Sequence, residues 1–222
     1  MHAVGTTALA LALASTIAAV DVTSNPSLNA QLFTATQQID RLALLPSDSQ
    51  WLFDFTAQPS YTFAPGSVVN ANAATFPAAV DNELTMATLN LGPCSQLPPH
   101  LHPRATNYVV SVLGNVTTYM IEENGARLVT QELSPGKMTI FPRGSIHAMV
   151  NTGCSNAQLI SALSSTDTGT SNVINGLSML PEEILAAGFG GKANIPSFGN
   201  MPAVGYGAVA GTEECLQACG LA

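Results

Sequence analysis

The sequence predicts an all-β fold, a sandwich or barrel of short strands with an N-terminal extension before it and short helices after it. Two observations carry that prediction. From Trp51 onward the chain is a series of short runs rich in β-branched and aromatic residues: "WLFDFTAQPSYTF", "ELTMATLNL", "NYVVSVLG", "VTTYMIEENGARLVTQEL", "KMTIFPRGSIHAMVN" and "AQLISALSS". Gly, Pro and Asn separate them at close intervals, the pattern of strands joined by turns. In addition, no linker-like tract or tandem repeat divides the 222 residues, a length that can bury one core unaided.

The remaining elements follow in chain order. The opening "MHAVGTTALALALASTIAAV" is an apolar run without acidic residues that ends in small ones. It reads as a secretory signal peptide over residues 1–19, cleaved after Ala19 or, as an alternative, Ala14. Residues 20–222 then form a single domain, secreted to the extracellular space or cell wall. "NPSLNAQLFTATQQIDRLALL" spaces Leu28, Leu32, Ile39, Leu42 and Leu45 as one helix. Asn124-Gly125 predicts a two-residue hairpin turn between two strands. Near the C-terminus, "LPEEILAAGF" has an acidic first turn and a following Gly, and "GTEECLQAC" is a second short helix.

Charge and cysteine content narrow the function classes. The formal net charge is -8, with six Lys and Arg in all, so nothing would neutralise a phosphate backbone and nucleic acid is excluded as a partner. A single tryptophan, Trp51, provides no aromatic platform for carbohydrate. In an oxidising compartment the four cysteines, Cys94, Cys154, Cys215 and Cys219, read as two disulfides. Cys215 and Cys219 are one helical turn apart, which favours both reaching toward a common region over bonding each other. Three connectivities are compatible with the sequence. Asn115 in "NVT" is a glycosylation acceptor, whereas Asn25 in "NPS" is excluded by its proline.

Apart from His2 in the signal segment, the chain has three histidines: His100, His102 and His147. In "HLH" two imidazoles sit two residues apart, on one face of a strand. In "GKMTIFPRGSIHAMVN" a Pro-Arg-Gly turn is followed by His147, with Met149 and Asn151 on the same face. Neutral imidazoles converging from separate strands are a common way to hold a transition metal. Arg104 and Arg143 read as solvated or ion-paired side chains.

These motifs resemble those of the germin-like cupins, in the branch that includes secreted spherulin-like fungal proteins. Gly136, Pro142, Gly144, His147 and Asn151 match the second cupin motif, G-x5-P-x-G-x2-H-x3-N, in full. His100, His102 and Gly114 match the first, G-x5-H-x-H-x3,4-E-x6-G, with "HPRAT" following as in many germins. Two positions depart from it: Cys94 stands at the opening Gly, and Asn107 at the Glu. The resemblance covers residues 92–151 and implies a single cupin jelly-roll β-barrel with one divalent transition metal inside. It also implies a homo-oligomer assembled through C-terminal helices.

Members of the family with three His and one Glu hold manganese, with oxalate oxidase or superoxide dismutase activity. Asn107 lacks the hard anionic donor that suits manganese and offers at best a weak carbonyl oxygen, which favours copper. Asn151 reads as a brace for a turn. A thioether from Met149, or from Met120 or Met86, would further favour Cu(I). Two function classes stay open at this stage. One is a secreted metal-binding protein without turnover. The other is a metal-dependent extracellular oxidoreductase acting on a small anion, superoxide or dioxygen.

Overall fold

The computed structural model describes residues 21–191 and 207–222; the expected signal segment lies outside them. In "AQLISAL" every second residue is buried, which makes it strand β9 (Ala157–Leu163) of a two-sided sheet. The strands before it are β1 (Gly66–Ala71), β2 (Thr85–Leu91), buried along nearly its whole length, β3 (Ser95–Leu101) and β4 (Asn107–Leu113). They continue through β5 (Val116–Ile121), β6 (Val129–Leu133), mostly exposed, β7 (Met138–Phe141) and β8 (Ile146–Val150), the last two with alternating burial. Two short strands, β10 (Ser171–Asn172) and β11 (Val209–Ala210), pair with β3.

The strands form two antiparallel sheets, ordered β1-β2-β9-β4-β7 and β10-β3-β8-β5-β6. Leu89 and Leu91 from β2, Val109, Phe141, Leu159 and Leu163 meet Leu97, Val116, Leu133 and Met149 from the other sheet in one core. Burying each such side chain contributes roughly 1.5–3 kcal/mol. The two sheets are thus the walls of a jelly roll, as the all-β reading required. Its N-terminal extension packs a second, smaller core of Leu32, Leu45, Ala73, Ala78 and Val80 against the β1–β2 connection.

The extension and one turn differ from the sequence reading. The expected single helix is two, α1 (Pro26–Thr34) and α2 (Gln38–Leu44). Thr34 turns its hydroxyl onto the Ala30 and Gln31 carbonyls, and the Arg41 guanidinium donates to the carbonyls of Leu32 and Ala35. Those side chains satisfy the end of α1, so the chain bends there instead of continuing. "WLFDFTAQPSYTF" forms no strand. The Asp54 carboxylate accepts from the backbone of Thr56 and Ala57 and from the Thr56 hydroxyl, and such local bonds compete with a ladder. Asn124-Gly125 lies within a loop of residues 122–128, not a two-residue turn; the local turn is closed by Ala126 N–H donating to Glu123.

Beyond β10 come α3 (Val173–Leu177), α4 (Glu182–Gly188) and α5 (Glu213–Ala218), capped by the Thr212 hydroxyl. Disulfides Cys94–Cys215 and Cys154–Cys219 fasten α5 to the start of β3 and to the β8–β9 connection. They close chain separations of 121 and 65 residues. Loops of that size restrict the unfolded chain enough for each bridge to contribute about 2–4 kcal/mol. Replacing Cys154 and Cys219 together by Ser should therefore lower unfolding free energy by about that amount in a urea titration. A loss below about 0.5 kcal/mol would contradict an anchoring role for the bridge.

Candidate metal centre

Two local devices bring the histidines inside. Pro98 and Pro99 have no N–H to donate, and the pairing of β3 with β8 slips there: Leu97 faces Met149, and the next paired residues are His100 and His147. The slip is a bulge that reverses the alternation, so Leu97 and His100, three residues apart, are both buried. His102 follows just after the strand ends. On the other side, Ser145 N–H donates to Pro142 O at 3.0 Å, closing the turn that delivers His147 to β8. Gly144 takes a positive φ of 81° in that turn, and its N–H donates to the His102 carbonyl at 3.0 Å. The turn residues of the second motif thereby tie one histidine segment to the other.

The three rings pack around a common point. Centroids are 4.3 Å apart for His100 and His147, and 5.3 Å for His102 with each of the others. One ring nitrogen from each lies within 4.8 Å of the other two. Phe141 stacks on His147 at 4.3 Å and fixes its plane. Each Nδ1 faces a backbone carbonyl: His100 to Pro98 at 2.7 Å, His102 to Gly169 at 2.7 Å, and His147 to Ser145 at 2.9 Å. A carbonyl only accepts, so each Nδ1 carries the proton and each Nε2 keeps its lone pair.

Burial keeps the rings neutral. It pushes the His147 pKa down to about 2, assisted by the neighbouring imidazole of His100. The same cause, with His102 adding repulsion, lowers His100 to about 4, and burial lowers His102 as well. The His147 Nε2 is buried and has no hydrogen-bond partner. An orphaned acceptor in a dry interior costs roughly 1–3 kcal/mol. Three neutral imidazoles with free, convergent lone pairs fit a borderline transition ion of the copper or zinc kind. A second cluster of potential ligands, Cys94, Cys215 and Cys219, is consumed by the two disulfides.

A cavity of about 120 Å³ opens beside His100 and His102. Asn107, at 2% exposure, lines it, and its Oδ1 accepts a short hydrogen bond from the Ser161 hydroxyl. Met149 also lines the cavity, while Met86 points outward from β2 and is exposed. Asn151 lies elsewhere: its amide donates to the carbonyls of Leu91, Gly92 and Ser155 and braces the end of β8. Ser161 was not singled out from sequence. Its signal was a hydroxyl at an inward position of the alternating "AQLISAL".

The loop that supplies the Gly169 carbonyl is held by Arg104, whose ion-paired reading the structure bears out while adding its partner. Arg104 Nε donates to Asp167 O at 2.9 Å, its Nη2 pairs with the Asp167 carboxylate at 2.6 Å, and its own N–H donates to Thr168 O. Gly169 has φ 62°, and a Cβ there would come within 2.9 Å of the Arg104 guanidinium. Gly169→Ala should therefore cost about 1–3 kcal/mol of stability. It should also weaken the His102 Nδ1–H bond, seen as a shifted imidazole ¹⁵N resonance; an unchanged resonance would remove the clamp from the account of His102.

Comparison with known proteins agrees with the geometry. The family model described as Cupin matches residues 55–196. Spherulin-1A of Physarum polycephalum is 30% identical over 198 residues, 88% of this chain and 78% of that one. Germin-like protein subfamily 1 member 7 of Arabidopsis thaliana is 32% identical over 139 residues, 60% of each chain. Among solved structures, an oxalate oxidase in complex with glycolate superposes with a TM-score of 0.58 at 21% identity, over 64% of this chain and 75% of that one. Oxalate decarboxylase from Bacillus subtilis gives 0.64 at 16%, over 71% of this chain and 40% of that one. At such identities the two structures speak for the fold alone. On the matched residues and the spherulin relative, the chain belongs to the cupin family, in its germin-like and spherulin-like branch.

Proposed function

We propose that this protein is a secreted cupin that holds one transition metal ion through His100, His102 and His147, with copper favoured over manganese. The observation that carries the reading is the buried, unpartnered Nε2 of His147, beside two other imidazoles whose Nδ1 atoms are likewise occupied by carbonyls. A bound ion would supply a Lewis acid and, as copper or manganese, one-electron redox capacity. The chain's own part is to keep the rings neutral, oriented and shielded from bulk water. Copper is favoured because all three donors are neutral imidazoles and the residue at the family's Glu position, Asn107, carries no charge. Two disulfides support an oxidising, extracellular setting. Asn115 is exposed at the β4–β5 turn, which supports its glycosylation. Met179, Ile184 and Phe189 around α4 are exposed, which supports a homo-oligomer.

A second reading, a manganese-dependent extracellular oxidoreductase of the oxalate oxidase or superoxide dismutase type, is favoured by the cavity beside His100 and His102. It has room for dioxygen or a small anion. Against turnover, the two carboxylates lining that cavity are engaged. Asp21 accepts from the amides of Asn70 and Asn72, and Asp167 pairs with Arg104. Elemental mass spectrometry of secreted protein, purified without chelator, should give near-stoichiometric copper; manganese would support the second reading instead. Asn107→Glu should shift the copper–manganese competition toward manganese, and an unchanged ratio would overturn the role given to Asn107.

Acid should weaken the metal-free protein. Below pH 6.5 an unfolded His100 binds a proton, whereas the folded one does so only near pH 4. The unfolded chain thus holds more protons in that window, so stability falls as pH drops through it, by about 3 kcal/mol for His100. His147 extends the same trend toward pH 2. Urea unfolding of chelator-stripped protein at pH 7 and pH 4.5 checks this; equal midpoints would mean the rings are not buried neutral.

A further inference from the structure

We infer that the two disulfides form one thiol–disulfide exchange relay: a small dithiol attacks at Cys154, and the freed Cys219 sulfur carries the exchange inward to Cys94. The relay needs no metal.

The four sulfurs make one cluster. Cys94 Sγ, bonded to Cys215, lies 3.5 Å from Cys219 Sγ, which is bonded to Cys154. That is van der Waals contact, and the sulfurs of Cys94, Cys215 and Cys219 all fall within 4.8 Å of one another. Cys215 and Cys219 stand one turn apart on α5, so one helix face carries a sulfur of each bridge. Exposure is graded along the cluster. Cys154 is exposed, Cys215 and Cys219 are half-buried, and Cys94 is 1% exposed. An external thiolate opens a disulfide only at a sulfur it can reach. Cys154 offers that sulfur, and the group it expels is Cys219, the one lying against the buried bridge.

The steps balance with the dithiol as the only reductant. One of its thiolates bonds to Cys154 Sγ, and Cys219 leaves as a thiolate. The second thiol of the reagent then closes on its own sulfur, which frees Cys154 and turns the reagent into a cyclic disulfide. Two electrons have passed to the protein. The Cys219 thiolate next bonds to Cys94 Sγ, and Cys215 leaves. The two protons of the dithiol end on Cys154 and Cys215, and one bridge remains, Cys94–Cys219.

Backbone contacts hold the target in place while its partner changes. Cys94 N–H donates to Gly153 O at 3.0 Å, which ties it to the loop carrying Cys154, and Gly211 N–H donates to the Cys94 carbonyl. Cys215 Sγ lies 3.4 Å from the Thr152 carbonyl, an acceptor for the S–H formed there. No residue of α5 is buried, so little packing opposes its shift. The exchange moves the covalent tie between the start of β3 and α5 by one helical turn. The same C-terminal segment pairs with β3 through β11, and its Gly207 lines the cavity beside His100 and His102.

To test this, folded and fully oxidised protein is given a single molar equivalent of dithiothreitol and quenched in acid. Free thiols are labelled with a maleimide, and the surviving bridge is mapped by fragmentation mass spectrometry. The one-bridge species should carry Cys94–Cys219, with label on Cys154 and Cys215 and loss of the Cys94–Cys215 pair. Label on Cys154 and Cys219 with Cys94–Cys215 intact would overturn the relay. A surviving Cys154–Cys219 or Cys215–Cys219 bridge would overturn it as well, by moving the point of entry or the target. In a second arm, Cys154 and Cys219 are both replaced by Ser, and the folded variant is reduced with excess dithiothreitol. Without the relay its Cys94–Cys215 bridge should open about tenfold or more slowly than in the wild type. An equal or faster rate would show that the buried bridge is reached directly and would overturn the inference.

Discussion

Three hydrogen bonds from imidazole Nδ1 to backbone carbonyl set the chemistry of this protein, because they decide which nitrogen of each ring is free. Each carbonyl is supplied by a different device. Pro98 sits in a bulge, Ser145 in a Pro-Arg-Gly turn, and Gly169 in a loop clamped by Arg104. Without any one of them a ring could take the other tautomer and point a proton inward. The jelly roll supplies the second requirement, a dry interior in which imidazoles remain neutral. Fold and site are therefore one arrangement: the β3–β8 pairing that places His100 opposite His147 builds one of the two walls that close on the core.

The C-terminal disulfides belong to the same frame. Cys94 takes φ 51°, a left-handed conformation costly for a residue with a Cβ. The motif has Gly at this place, and the backbone geometry explains why. Here the cysteine is held by its bridge to Cys215, by Gly211 N–H donating to its carbonyl, and by its own N–H donating to Gly153. Local strain is thus offset by covalent and backbone ties, and α5 is pinned at the point where β3 begins its run toward the histidines.

Neutrality is what distinguishes this centre. The ring nitrogens carry no charge, the residue at the carboxylate position is an amide, and that amide is tied to a serine. Among the described residues the carboxylates that line the cavity are those of Asp21 and Asp167, and both are partnered. An ion held here would keep its charge across three neutral donors.

The two histidine motifs, the even cysteine count and the succession of short β-rich runs were legible in sequence because each depends on local spacing: period two in a strand, Gly at positive φ in a turn, His at fixed offsets from it. The missed features depend on which side chain bonds which backbone or side-chain group, some of them close in sequence and some far apart. Arg41 ended a helix through carbonyls on an earlier turn, and Asp54 dissolved an expected strand by bonding its own neighbours. Ser161 is 54 residues from Asn107, and Gly169 is 67 from His102. The sequence alone determined that three imidazoles and no carboxylate occupy the motif positions. Only the tertiary structure decided which nitrogens are free, which cysteines join and what the asparagine's carbonyl does, because hydrogen bonds and disulfides form between groups that only folding brings within reach.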